Sequence, residues 1–157
     1  MAFTHDSGLD PDERAFSSAE VSRIAQVSLR QLQWWDERGA ISPRQENKRR
    51  VYSAREVMEI LIVAALRRKR LSLQKIRRIL RLLRRELARA PGSIGGSRLW
   101  LLTDGAAAYL EEHPERILDR LAEARQAMYL VCLSDQAQRI ASEPALRRHV
   151  RRQLELF

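Results

Sequence analysis

From residue 17 onward, apolar positions recur at helical spacing, and a serine stands at the head of each of the first four runs. Val21, Ile24 and Ala25 share one face of a first helix. Ser17 opens it: its hydroxyl can accept the Glu20 backbone N–H while the Glu20 carboxylate reaches back, a capping box. Gln26-Val27 makes a turn. Ser28 caps a second helix with Gln31 at the matching third position, Leu32 and Trp35 point one way, and Gly39 ends the helix. Ser42-Pro43 opens a loop that returns through Arg50-Val51-Tyr52, a short strand candidate. Ser53 with Glu56 forms another capping box, and the helix it starts carries Val57, Ile60, Leu61 and Ala64 on one face as far as about Lys69. Leu71-Ser72 breaks it, and Ser72 caps a fourth helix from Leu73 to about Arg89.

That fourth helix has a wide apolar stripe. Leu73, Ile76, Leu80, Leu83 and Leu87 alternate spacings of three and four, with Ile79 and Leu82 beside them and arginines elsewhere. Such a stripe can pack on its own domain and still meet a partner helix, so these five residues are candidates for dimerisation. A Gly/Ser/Pro-rich linker, residues 91–97, follows. Beyond it, Leu99 to Leu102 reads as a buried strand, Asp104-Gly105 as a hairpin turn, and Ala106 to Leu110 as the return strand, although three alanines favour helix. Pro114 begins a helix with a face of Ile117, Leu118 and Leu121. Met128 to Leu133 resembles another buried strand, and Ser134 caps a helix to about Ser142. After Pro144 a final helix has Leu146, Val150 and Leu154 spaced by four.

The expected fold is mainly α. An N-terminal winged helix-turn-helix of four helices with a short wing hairpin (residues 16–90) precedes a small α+β unit, β-β-α-β-α (residues 98–157), which would serve dimerisation or an effector. Residues 1–15, polar and acidic, read as a disordered tail.

Charge sharpens this division. The net charge of the 157-residue chain is +9. Residues 1–15 carry one basic and four acidic side chains, residues 16–97 carry 19 and 7, and residues 98–157 carry 9 of each. The whole positive excess therefore lies in the helix-turn-helix segment, and its natural partner is a polyanion. A single cysteine, Cys132, excludes a disulfide framework and a cysteine metal cluster within one chain. His5, His113 and His149 are scattered, so no metal or other cofactor is expected. No signal sequence or membrane-spanning run is expected, which fits a cytoplasmic protein.

Duplex DNA recognition needs a helix tip for the major groove, donors for phosphates, and a support that fixes the helix angle. Ser28, Arg30 and Gln31 lie at the start of the second helix. Arg30 can donate to guanine and Gln31 can pair with adenine. Trp34 or Trp35 can offer an indole N–H to a phosphate, although Trp35 falls with Leu32 and fits the core better. Lys48, Arg49 and Arg50, beside Tyr52, lie where a wing would straddle the backbone.

These stretches, FSSAEVSRIAQVSLRQLQWWDERGAISP, KRRVYSAREV and LIVAALRRKRLSLQKIRRIL, resemble the DNA-binding domain of the MerR family of bacterial transcription regulators over residues 16–83. The resemblance implies a winged helix-turn-helix, homodimeric binding to an inverted repeat, and distortion of promoter DNA, with RNA polymerase at the promoter among the partners. It places the helix from Ser28 in the major groove, the position matching Trp34 against a phosphate, and the position matching Arg50 in the wing. The chain departs from the family at Gln26, where glycine is usual, at Gln33, where arginine is usual, and at Trp34, where tyrosine is usual. It departs further after residue 90, where an α/β unit stands in place of a long dimerising helix.

The residues favour a sequence-specific transcription regulator. An architectural, excisionase-like DNA binder without effector sensing would share the motif. Catalysis is not expected: residues 98–157 show no paired acid and base and no nucleophile near a histidine, and Gly92 to Gly96 lacks the lysine-serine of a phosphate loop. The exposed edge of the hairpin could also pair across a dimer.

Overall fold

The computed structural model describes residues 15–89 and 98–142. The acidic tail up to residue 14, the linker and the helix expected after Pro144 lie outside these residues.

The N-terminal unit begins with a strand that the sequence pattern does not announce. β1 (Ala15–Ser17) pairs antiparallel with β3 (Arg49–Ser53), and β3 pairs with β2 (Arg44–Glu46), giving the order β1-β3-β2. Phe16 lies opposite Tyr52 in this register, and both rings are buried, so a strand of three residues is held by its side chains. Asn47 and Lys48 both have positive φ, 49° and 64°, and close the β2–β3 hairpin by a two-residue turn of the kind that matches strand twist.

The helices keep the boundaries that their caps dictate. α1 (Ser18–Ala25) is capped by Ser17, whose hydroxyl accepts from Glu20 N at 3.2 Å. α2 (Leu29–Glu37) and α3 (Ala54–Arg68) carry full reciprocal boxes at Ser28/Gln31 and Ser53/Glu56. α2 ends in a Schellman arrangement: Gly39 has φ +67°, its N–H donates to Asp36 O, and Ala40 N–H donates to Trp35 O. α4 (Leu73–Arg89) starts at the Ser72 cap.

The C-terminal unit runs β4 (Trp100–Thr103), β5 (Ala108–Glu111), α5 (Pro114–Glu123), β6 (Tyr129–Cys132) and α6 (Leu133–Ala141), the β-β-α-β-α order expected. Its antiparallel sheet has the order β5-β4-β6. Several local expectations are corrected. The return strand starts at Ala108, because the Asp104 carboxylate accepts from both Ala106 N and Ala107 N at 2.8 Å and holds those residues in the turn. Ser134 does not cap α6. The cap position is Cys132, and Ser134 Oγ instead accepts from Leu99 N at 2.8 Å, while Leu133 N donates to Leu99 O. Of the α5 face only Ile117 is buried, leaving Leu118 and Leu121 exposed, and β6 alternates, with Val131 buried and Leu130 exposed.

Both units share one core around α3. Val57 to Ala64 and Leu66 are buried without a break, so this stretch of α3 is buried on every side. α1 and α4 cover part of it, and α6 and β6 cover more. In the second sheet, Leu101, Leu110 and Val131 share the face turned to this core. The opposite face carries Leu102, Tyr109 and Glu111, against which α5 lays Ile117 and Arg120.

Candidate nucleic-acid interface

The site is built on the exposed side of α2. Leu32 and Trp35, 1% and 2% exposed, anchor the helix in the core and turn Arg30, Gln31, Gln33 and Trp34 outward. At its tip, Ser28 Oγ accepts from Gln31 N at 3.0 Å and Gln31 Oε1 accepts from Ser28 N at 2.9 Å. The cap fixes the first turn. It also engages the Gln31 amide oxygen, so the Nε2 donors are what Gln31 presents outward. Arg30 is exposed beside it. Leu29, the first helical residue, is 56% exposed, an apolar group at the reading edge that its three-residue spacing from Leu32 disguises as core.

Trp34, 37% exposed, has two guanidinium groups near its ring: Arg38 at 5.7 Å and Arg67 at 6.0 Å from the centroid. Arg67 belongs to Arg67-Arg68-Lys69-Arg70, a run of four cations at the end of α3 that the sequence reading passed over although it is longer than the wing triplet. Its members divide by task. Arg68 Nη2 donates to Ala25 O at 3.0 Å and Arg67 Nη1 to Leu71 O at 3.0 Å, whereas Lys69 and Arg70 are exposed at the turn into α4.

The wing triplet divides in the same way. Lys48 and Arg49 are exposed at the hairpin. Arg50 is half-buried, and its Nε donates to Asp36 Oδ2 of α2 at 2.6 Å. The hydrogen bond to Asp36 raises the Arg50 pKa further above its ordinary value. Arg50 therefore braces the wing against the helix. Tyr52, expected on the interface, is a core residue at 0% exposure, and burial raises its phenol pKa. Gln33, where the related family usually has arginine, donates from Nε2 to Glu37 Oε1 at 2.8 Å along the helix surface.

Of the candidate dimer residues on α4, Ile76, Leu80 and Leu83 are consumed by the chain's own core, at 0%, 0% and 1% exposure, and Leu73 and Leu87 pack half-buried against it. Arg84 of the same helix makes a double contact with buried Glu59, Nε to Oε1 and Nη2 to Oε2 both at 2.7 Å, and its Nη2 reaches Ala40 O at 3.4 Å beyond the end of α2. Lys75, Arg77, Arg78, Arg81 and Arg85 cover the outer surface of α4.

Residues 16–83 match the family model described as MerR HTH family regulatory protein. This segment is a helix-turn-helix of the MerR regulatory type. A comparison with curated proteins found no match. The MerR segment begins at Phe16, whose ring packs behind the wing, and ends at Leu83, the last fully buried residue of α4. Gln26 occupies a left-handed conformation, φ 55° and ψ 46°, at the turn where MerR members usually carry glycine. Among the described residues no cluster of metal-ligating side chains forms, and no helix is long and apolar enough to cross a membrane.

Proposed function

We propose that the chain is a sequence-specific transcription regulator that binds duplex DNA as a homodimer and distorts promoter DNA used by RNA polymerase. The observation that supports this most directly is the tip of α2, where a closed cap presents Arg30 and the Gln31 amide donors on an exposed turn, with Lys48 and Arg49 on the wing and Trp34 near Arg38 and Arg67. Arg30 reads guanine, and the Gln31 Nε2 donors meet an acceptor such as a purine N7 in the major groove. The Trp34 indole N–H, Lys48 and Arg49 bind phosphates, and Arg50 acts through Asp36 by holding the wing at its angle.

Selection of bound sequences from a random DNA pool tests this. The expected product is an inverted repeat with half-sites set by the dimer, in a footprint that stays short as protein is added. Affinity should fall steeply with salt, and Arg49→Ala should lower the slope of log K against log salt by about one. Arg30→Ala should relax base preference at one position of each half-site. A footprint that lengthens with concentration and has no preferred sequence would establish an architectural DNA binder instead.

A further inference from the structure

α5 carries an apolar strip that nothing in the described chain covers. Leu118 and Leu121 are 65% and 44% exposed, and Leu130 on the edge strand β6, on the same face of the sheet as Leu102 and Tyr109, is 46% exposed. The strip is bordered by a row of carboxylates, since Glu115, Asp119 and Glu123 recur at four-residue spacing and are exposed on the same helix. The chain also holds a segment with the complementary pattern. In residues 143–157, Leu146, Val150 and Leu154 are spaced by four, with Phe157 in phase with them at helical periodicity, and Arg147, Arg148, Arg151 and Arg152 alternate with this stripe. Apolar stripe and cationic row there match apolar strip and anionic row on α5.

We propose that residues 143–157 of one copy dock on the α5–β6 strip of a second copy, and that the exchange is reciprocal. The inference rests on the homodimer reading above and identifies its contact surface. The described end of the chain argues for exchange between copies. α6 packs on α3, and Arg139 Nη2 donates to Ile24 O at 2.7 Å, so the chain leaves α6 next to the end of α1. The exposed leucines of α5 lie on the face of the second sheet opposite to α6, since α5 packs on the Tyr109 and Glu111 face and α6 on the core face. Leu146 follows Ser142 by four residues, which reach at most about 14 Å when extended. The start of the stripe is thus tethered on the side of the sheet away from its own α5, whereas two copies related by a twofold axis can each receive the other's segment.

Sedimentation of the full chain across a concentration series tests the exchange. Leu118→Asp/Leu121→Asp changes only exposed side chains and should raise the dimer dissociation constant by at least about tenfold, as should termination after Ser142. Glu115→Arg/Asp119→Arg and Arg147→Glu/Arg151→Glu should each weaken self-association, and mixing the two variant chains should restore a heterodimer. Wild-type dimerisation by the Asp variant or the truncated chain would overturn the docking while leaving the homodimer intact. Failure of the charge-reversed chains to pair would overturn it too. A wild-type chain that stays monomeric with its selected DNA would overturn both.

Discussion

Gln26 shows how a single residue can depart from a family pattern and still keep the backbone of that pattern. Its φ of 55° belongs to the left-handed region, where a side chain with a Cβ costs about 1 kcal/mol relative to glycine. Gln26→Gly should therefore raise the urea midpoint by an amount equal to roughly 0.5–1 kcal/mol with an unchanged m-value, and a fall in stability would show that the side chain has a stabilising role of its own. Charge was less legible at this scale. A net charge counts every arginine as available to a polyanion, yet Arg50, Arg68 and Arg84 spend guanidinium donors on Asp36, Ala25 O and Glu59. Only the folded positions separate these braces from exposed Arg30 and Arg49. Asp104 is the acidic counterpart. Hydrogen bonds from the Ala107 and Ala106 N–H groups, together with Gln126, hold its pKa below the ordinary carboxylate value. A depressed folded pKa contributes stability above the unfolded value of about 3.9 and loses it as pH falls through the folded value. Unfolding at pH 7 and pH 3 should show Asp104→Asn losing less stability on acidification than the wild type.

Among the elements, the helices were far more legible than the strands, and the reason is chemical. A helix start is written in two side chains three residues apart, as at Ser28/Gln31 and Ser53/Glu56, and both boxes form. β1 has no such local mark. It is fixed by the burial of Phe16 opposite Tyr52, a partner 36 positions along the chain. Ser134 misled for a related reason: a serine near a helix start can serve a distant N–H, here that of Leu99, instead of its own helix. Glu59 is a further case, a carboxylate inside the apolar run of α3 that is 5% exposed and receives both Arg84 donors from α4. Arg84→Ala would leave it buried without its cation. Because the Arg84 side chain is 42% exposed, water offsets part of the loss, and the expected cost is about 2 kcal/mol, below the 3–5 kcal/mol of a fully buried pair. Glu59→Gln, which keeps acceptor and shape without the charge, should cost less. Urea titration of the two variants checks the order, and equal costs would mean that the pair does not lock α3 to α4.

At the scale of the whole molecule, most of the candidate DNA site was legible because it is local, within residues 28–50, and only Arg67 joins it from the end of α3. The relation between the two units was not, because it depends on which faces remain uncovered after each unit folds. One sign was present: α3 reads EILIVAALRR, more apolar than a helix with a single buried face requires. The spacing of Val57, Ile60, Leu61 and Ala64 predicts one buried face, and the second sheet and α6 take the rest. Leu99, Leu101, Val131, Leu133 and Ile140 enter the same core as Trp35 and Ile62. At roughly 1.5–3 kcal/mol for each buried side chain, these five contribute on the order of 8–15 kcal/mol of gross apolar burial, before the entropy of ordering them is subtracted. A fragment ending at Arg89 would retain every DNA-contacting candidate and lose all five, while exposing the flank of α3 that they cover. The expectation is that this fragment does not unfold cooperatively and does not protect DNA, although it contains the whole MerR match. Circular dichroism during urea titration and footprinting of the fragment beside the full chain check this directly. A fragment that folds and binds as the full chain does would show that the shared core is dispensable. A fragment that fails would mean that the wing and α2 hold their geometry only with the C-terminal unit in place, so that a ligand or partner engaging that unit could act on DNA affinity through α3.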